Sequence, residues 1–173
     1  MLIWLNGPFG IGKTSAAEAL IRRLPGAIVF DPEPVGLMLC EMYRSVEPVE
    51  DFQDLQAWHA AVPALVRVLH PSHAAPVVMP MTVWRRDYFT EIMTALRAAD
   101  DDVRCFCLTA CEQVLRARIL GRDPLEAAHE WSLRHLPTGL RMMQDPLFGE
   151  QVATCERSPD QVVGIVAATA ESF

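Results

Sequence analysis

Residues 7–14 read GPFGIGKT, and they stand between an apolar run, LIWLN at 2–6, and a stretch of helical periodicity from Lys13 to about Leu24. No other feature of the chain restricts its fold as much. LIWLN has the pattern of a buried parallel strand feeding a turn. Gly7, Gly10 and Gly12 carry no Cβ, so the backbone N–H groups between them can turn inward around an anion. In TSAAEALIRRL, Ala16, Leu20 and Leu24 share one side, and Pro25-Gly26 ends the helix. A helix that starts at Lys13 aims its positive dipole end at the same anion. Strand, anion cradle and helix in this order are the first unit of a parallel α/β sheet.

The eight residues fit G-x-x-x-x-G-K-[ST] in the strand-to-helix context that this phosphate-binding pattern requires. Residues Gly7, Pro8, Phe9, Gly10, Ile11, Gly12, Lys13, Thr14 and Ser15 are therefore the expected nucleotide cradle. Lys13 can reach the β- and γ-phosphates as a compact cation, and the Thr14 hydroxyl can ligate Mg²⁺. ATP and Mg²⁺ are the expected cofactors. Lys13 is also the one lysine among 15 basic residues; the others are arginines. An ammonium is narrow enough to thread the loop where a planar guanidinium fork is not.

Further strands are expected at 27–31 (AIVFD), 76–82 (PVVMPMT, shortened or irregular at Pro80), 103–109 (VRCFCLT) and 151–155 (QVATC). Helices are expected at 35–44, 51–69 with a bend at Pro63, 87–99, after the fourth strand, and up to Gln144. SPDQ at 158–161 supplies a serine cap, a first-turn proline and an N3 glutamine before the apolar run VVGIVAA, which marks a last helix. The polar stretch 123–137 reads as irregular, and 122–137 is a candidate closing lid. Strands alternating with helices imply one domain over 1–173: an α/β three-layer sandwich of the P-loop NTPase type, nucleotide-kinase-like, with about five parallel strands.

Composition removes several classes. A formal charge of -7 provides no basic field for nucleic acid. No apolar run approaches the roughly 18 residues of a bilayer span, and the N-terminus lacks a basic n-region, so a cytoplasmic protein is expected. Of the five cysteines, Cys105 and Cys107 share one face of a strand and read as packed thiols, and the approach of Cys111 does not make a metal site. His70 and His73 share a Pro-Ser loop without a third ligand. GTPase chemistry is excluded in its usual form, because N-K-x-D needs a lysine outside the loop.

A small-molecule kinase needs an acid near the γ-phosphate, arginines that screen migrating charge, and an acceptor pocket. Asp31 ends the second strand at the carboxyl edge, where ligands of open α/β sheets bind; it can polarise an acceptor hydroxyl, hold water on Mg²⁺, or cap the helix that follows. Glu33 is a second acid. Arg118 and Arg122 lie four apart on one helical face at the head of the lid, and Arg85 and Arg86 follow the third strand. Phe52 to Trp58 and the helix around Met38 and Met42 are either acceptor walls or plain core.

With those residues read, the chain resembles the tunicamycin-resistance ATP-binding proteins. IWLNGPFGIGKT at 3–14 matches their opening pattern, including Trp4, Asn6 and Phe9, which phosphate binding alone does not require. The resemblance continues through FDPE (30–33), VGLML (35–39), DFQ (51–53), MPMTV (79–83) and YFTEI (88–92), and thins beyond residue 110 to PLF at 146–148. It implies a kinase-like fold with a five-stranded parallel core, ATP on Gly7 to Thr14, and Asp31 facing a nucleoside antibiotic or its relative. Phosphorylation of the antibiotic and its capture without chemistry both stay open, as does a housekeeping kinase for another metabolite. Longer relatives carry an amphipathic, membrane-associated tail past the last helix; this chain ends at Phe173, so membrane attachment is not expected.

Overall fold

The structure, a computed structural model, describes residues 1–72, 75–100, 102–121, 128–155 and 157–171. Five parallel strands form one sheet: β1 (Leu2–Asn6), β2 (Ile28–Val29), β3 (Val77–Pro80), β4 (Val103–Thr109) and β5 (Glu150–Ala153), in the order β2-β3-β1-β4-β5. β1 is central, pairing Leu2 with Val77 on one side and with Val103 on the other. Its five residues are all buried, as a strand covered on both faces requires.

Alternation along β1 sorts the core into two halves. Ile3 and Leu5 pack under α1 (Lys13–Arg23), α5 (Glu112–Leu120) and α7 (Pro159–Glu171). Leu2 and Trp4 pack on the other face, under α2 (Glu33–Tyr43), α3 (Gln56–Ser72) and α4 (Arg86–Ala99). The three-layer α/β sandwich expected from the sequence is the fold observed. At the head of α7, Ser158 and Gln161 exchange backbone-to-side-chain hydrogen bonds of 2.8 and 3.3 Å, the reciprocal cap that SPDQ encodes.

Some expectations need correction. β2 has two residues rather than five: the Phe30 N–H makes a last bond to the Val78 carbonyl at 2.9 Å, Pro80 has no N–H to return to β2, and the chain turns at Pro32 into α2. β3 stops at Pro80, which has no N–H to offer toward β2, although the Met81 N–H still donates to the Leu5 carbonyl of β1 at 3.1 Å. The stretch 51–55 is a 3-10 turn, Phe52–Asp54, separate from α3, which continues through Pro63. His70 lies in the last turns of α3 rather than in a loop, and His73 lies outside the described residues. Residues 128–137 are not irregular: α6 runs Ala128–Met142 across Pro137. Its inner stripe explains the continuity, since Leu136 is buried and Leu133 and Leu140 pack against the same core. Residues 122–127 of the expected lid lie outside the described residues. No helix among the described residues is long and apolar enough to cross a membrane.

Candidate nucleotide site

The phosphate loop leaves the centre of the sheet at Asn6. Gly7, Gly10 and Gly12 have φ of 141°, 77° and 95°, a region that L side chains rarely enter. Space adds to the requirement at two of them. A Cβ on Gly7 would stand 2.7 Å from the Leu108 carbonyl oxygen, and one on Gly10 would stand 2.8 Å from Ile119 Cγ1. Gly12 has open space around it and serves instead as the left-handed residue from which α1 starts. Lys13 folds back over the loop: its Nζ donates to the carbonyls of Gly7 at 3.0 Å and Pro8 at 3.2 Å. Thr14 and Ser15 are exposed in the first turn of α1.

Asn6 and Trp4 explain themselves here. Asn6 is fully buried; its Oδ1 accepts from Gly7 N–H at 2.9 Å and Val83 N–H at 3.1 Å, while its Nδ2 donates to the Val83 carbonyl at 3.0 Å. Trp4 Nε1 donates to the Met81 carbonyl at 3.0 Å, and Thr82 Oγ1 donates to the Gly7 carbonyl at 2.8 Å. Together they fasten the segment after β3 to the root of the phosphate loop, extending the β1–β3 pairing that the Met81 N–H continues to the Leu5 carbonyl at 3.1 Å. Thr82 is thereby a loop residue that the sequence reading missed.

Arg118 is brought to the loop: its Nη1 donates to the Ile11 carbonyl at 3.3 Å. Beside that contact lies a cavity of about 300 Å³, bounded by Gly10 to Gly12 and Ser15, by Leu108 and Arg118, and by Thr154, Arg157, Pro159 and Val162. Arg122 lies outside the described residues. Arg85 and Arg86 are engaged elsewhere: Arg85 with Asp54 at 2.9 Å and over the Tyr88 ring at 3.7 Å, and Arg86 with Asp145.

On the opposite side of the loop, Asp31 is exposed, and its Oδ1 accepts from Glu33 N–H at 2.9 Å. The capping role is thus realised. β2 is two strands from β1, so Asp31 stands about 10 Å to the side of the loop root. Glu33 opens α2 and is exposed. Trp58 is core, with Nε1 donating to the Pro32 carbonyl at 3.1 Å, and Phe52 fills the space over Gly36, where a Cβ would fall 2.3 Å from its ring. Met38 and Met42 are neither core nor pocket wall; they are 55% and 67% exposed on α2.

Between these walls runs an aromatic file that the sequence did not announce. Phe9 meets Trp131 edge-on with centroids 5.0 Å apart, Trp131 lies 4.2 Å from His135, and His135 lies 6.2 Å from Trp84. Trp131 and His135 are four apart on α6, the spacing that puts both on one face. Burial pushes the Asp51 carboxyl above its ordinary value; Asp54 acts the same way, and the Gln53 amide, His135 and Arg85 oppose the shift. Burial and a hydrogen bond to Asp54 raise Tyr88 to about 12.

For a divalent cation, the fit rests on hard oxygen donors. Thr14 offers one at the loop mouth. The edge of β3 offers no carboxylate: the chain there reads Pro80-Met81-Thr82-Val83, and the Thr82 hydroxyl is committed to Gly7. No cluster of three or more His, Cys, Asp or Glu side chains suited to a metal occurs among the described residues. A Mg²⁺ ion carried in by nucleotide phosphates fits this donor set; a resident all-protein metal site does not.

A glycine cradle at the central strand, a covering lysine and an adjoining cavity define a P-loop nucleotide-binding protein of the kinase-like α/β class. The chain belongs to the AAA domain family, whose profile matches residues 2–146. No curated protein sequence matches it. Among solved structures it is similar to the tunicamycin resistance protein of Deinococcus radiodurans, at 24% identity and a TM-score of 0.79, covering 98% of this chain and 94% of that one. It is also similar to a gluconokinase of Sinorhizobium meliloti (20% identity, TM-score 0.65, 96% and 89% covered). A shikimate kinase of Acinetobacter baumannii matches at 15% identity and a TM-score of 0.64, with 99% and 95% covered. At these identities the likeness is one of fold.

Proposed function

We propose that this protein is an ATP- and Mg²⁺-dependent phosphotransferase that acts on a hydroxyl of tunicamycin or a similar nucleoside-like small molecule. The observation that carries the reading is the loop itself: three glycines in conformations closed to other residues, with Lys13 drawn across them. Such a loop aims backbone donors and one cation at a phosphate chain. The adjoining cavity of about 300 Å³ matches the size of a nucleobase pocket, and Arg118 enters it from α5. The similarity of the opening sequence to tunicamycin-resistance proteins, and the fold shared with the Deinococcus protein, support the antibiotic as acceptor.

In this reading Lys13 holds the β- and γ-phosphates, the loop amides hold their oxygens, and Arg118, with Arg122, screens charge as the phosphoryl group leaves. Mg²⁺, bound through Thr14 and the phosphates, would supply electrostatic stabilisation of the transferring group. Asp31 would accept or orient the acceptor hydroxyl proton, or would hold a water of the metal. The aromatic file from Phe9 to Trp84 excludes water on the acceptor side. Incubating the protein, MgATP and tunicamycin and weighing the drug by mass spectrometry tests the reading: a gain of one phosphoryl group is expected. Asp31→Asn is expected to cut turnover while leaving MgATP affinity intact; equal turnover would remove Asp31 from the mechanism.

A second reading, capture of the antibiotic with ATP as a gating ligand, draws on a specific observation. β3 ends without a carboxylate, and Asp31 is held by the entry to α2. Unchanged drug that co-purifies with the protein would favour it. A third reading, a kinase for another metabolite, draws on the fold shared with gluconokinase and shikimate kinase, and a screen of sugars and cyclic polyols for phosphorylation tests it.

A further inference from the structure

Four of the five cysteines fall into two unlike pairs, and Cys40 stands apart on α2. Cys105 and Cys107, inside β4, have thiols pushed up by burial, the first well above its ordinary value and the second to about 11, which disfavours their thiolate forms. Cys111 and Cys155 are exposed and touch each other: Cys111 N–H donates to Cys155 Sγ at 3.2 Å across 44 residues of sequence. Register explains the meeting. β4 and β5 pair Thr109 with Ala153, and Thr154 N–H continues the ladder to the Thr109 carbonyl at 2.8 Å. Cys111 and Cys155 each lie two residues further on, and Cys111 keeps an extended backbone with ψ of 151°. Neighbouring strands run roughly 5 Å apart, and a disulfide needs Cα atoms about 4.4–6.8 Å apart. The two thiols are therefore placed for a bond without rearrangement of the sheet.

Their position gives the bond a consequence. Cys111 caps α5, the helix that carries Arg118, and Cys155 sits in the loop that carries Thr154, Arg157 and Pro159. These are facing walls of the cavity beside the phosphate loop.

We propose that Cys111 and Cys155 form a reversible disulfide that ties the two walls of the nucleotide cavity together and so couples nucleotide binding to oxidants of the hydroperoxide class. The Cys111 thiolate attacks a peroxide oxygen, the O–O bond breaks, and a sulfenic acid forms on Cys111 with release of water. Cys155 then attacks that sulfur; the S–S bond forms, the S–O bond breaks, and a second water leaves with the Cys155 proton. Two thiols lose two electrons, and one hydrogen peroxide becomes two waters. A dithiol reductant reverses the change. Cys111 is suited to the first step: the amide of Val114 in the first turn of α5 holds its thiol below the ordinary value, and Cys155 and the Gln113 amide act the same way. α5 buries Leu115 and Ile119, and fixing the residue that precedes it opposes its adjustment around a base. The coupling to nucleotide rests on the function proposed above; the disulfide does not.

The test treats reduced protein with stoichiometric hydrogen peroxide, followed by non-reducing peptide mapping and calorimetry with MgATP. A peptide linking Cys111 to Cys155 is expected, free thiols falling from five by the two consumed, with full reversal by dithiothreitol. Oxidised protein is expected to bind MgATP about fivefold or more weakly than reduced protein, and the Cys111→Ser/Cys155→Ser variant should show no response to peroxide. Thiols at 111 and 155 that stay unlinked, or that join other cysteines, overturn the proposal. A clean disulfide with unchanged affinity overturns the coupling. Reduced protein that binds no MgATP counts against the nucleotide reading and the coupling together, and leaves the peptide map to decide the disulfide.

Discussion

The arm formed by β1, the phosphate loop and α1 is built differently from the arm formed by β2 and α2. In the first, every β1 residue is buried, Gly7 sits against Leu108 and Gly10 against Ile119, and Asn6 makes one hydrogen bond to Gly7 and two to Val83. The second has a two-residue strand with Val29 38% exposed, and a helix with Leu37, Met38 and Met42 facing outward. The first arm fixes its shape through backbone conformation, the second through side chains on an open edge. Backbone set by glycine tolerates almost no change of residue type, whereas exposed side chains can be exchanged without disturbing the core. That contrast fits a fold shared with neighbours named for gluconate, shikimate and tunicamycin.

Substitutions can break this contrast, and the largest effect is expected in the loop. Gly10→Ala combines φ of 77° with a 2.8 Å approach to Ile119, so it should cost about 2–4 kcal/mol in urea melts. It should also abolish MgATP binding in calorimetry. Gly12→Ala, with open space, should cost only about 1–2 kcal/mol of backbone strain. Equal penalties at the two sites would show that packing against Ile119 does not shape the loop.

Lys13→Arg comes next. It keeps the charge and loses the fit, so MgATP affinity should fall on the order of tenfold to a hundredfold, with the melt nearly unmoved. Retained affinity would refute the narrow-cation argument. On the second arm, Gly36→Ala drives a methyl into the Phe52 ring and should cost about 1–3 kcal/mol. Nucleotide affinity should be unaffected. A loss of MgATP binding there would show that the two arms are not separable.

The smallest effect is electrostatic. Burial raises the Asp51 carboxyl above its ordinary 3.8, so between that value and its raised one the native state holds more protons than the unfolded chain. Stability from this group therefore falls as pH rises through the window, and the penalty persists above it. Asp51→Asn keeps the oxygen that accepts from Gln53 N–H at 2.9 Å and removes the charge. It should be slightly more stable than the parent protein at pH 7, with the difference vanishing below about pH 4; thermal melts across pH 3–8 read this directly.

Legibility followed the same division as the two arms. The phosphate loop, β1, β4 and the capped start of α7 were readable because each is decided by residues within a few positions of one another. α6 was misread at its start because the stretch is polar, and the stripe of Leu133, Leu136 and Leu140 that makes it a helix depends on a core built by other segments. Asp31 was found as a carboxylate at a strand end, with a cap on the following helix among its readings, but its distance from the loop was not found. Trp131, His135 and Trp84 carried only an i, i+4 spacing on α6 as a signal, and that spacing suits core packing equally well.

Local sequence by itself determined that a strand, an anion cradle and a helix must follow one another at the N-terminus, since φ sign and charge at Gly7 to Thr14 leave no other use for those residues. Tertiary structure alone decided the strand order, the fastening of Asn6 to Val83 across 77 residues, the reach of Arg118 to Ile11 across 107, and the contact of Cys111 with Cys155. The reason is range. Backbone conformation is set by neighbours along the chain, whereas these contacts exist only after β1 has taken its place between β3 and β4.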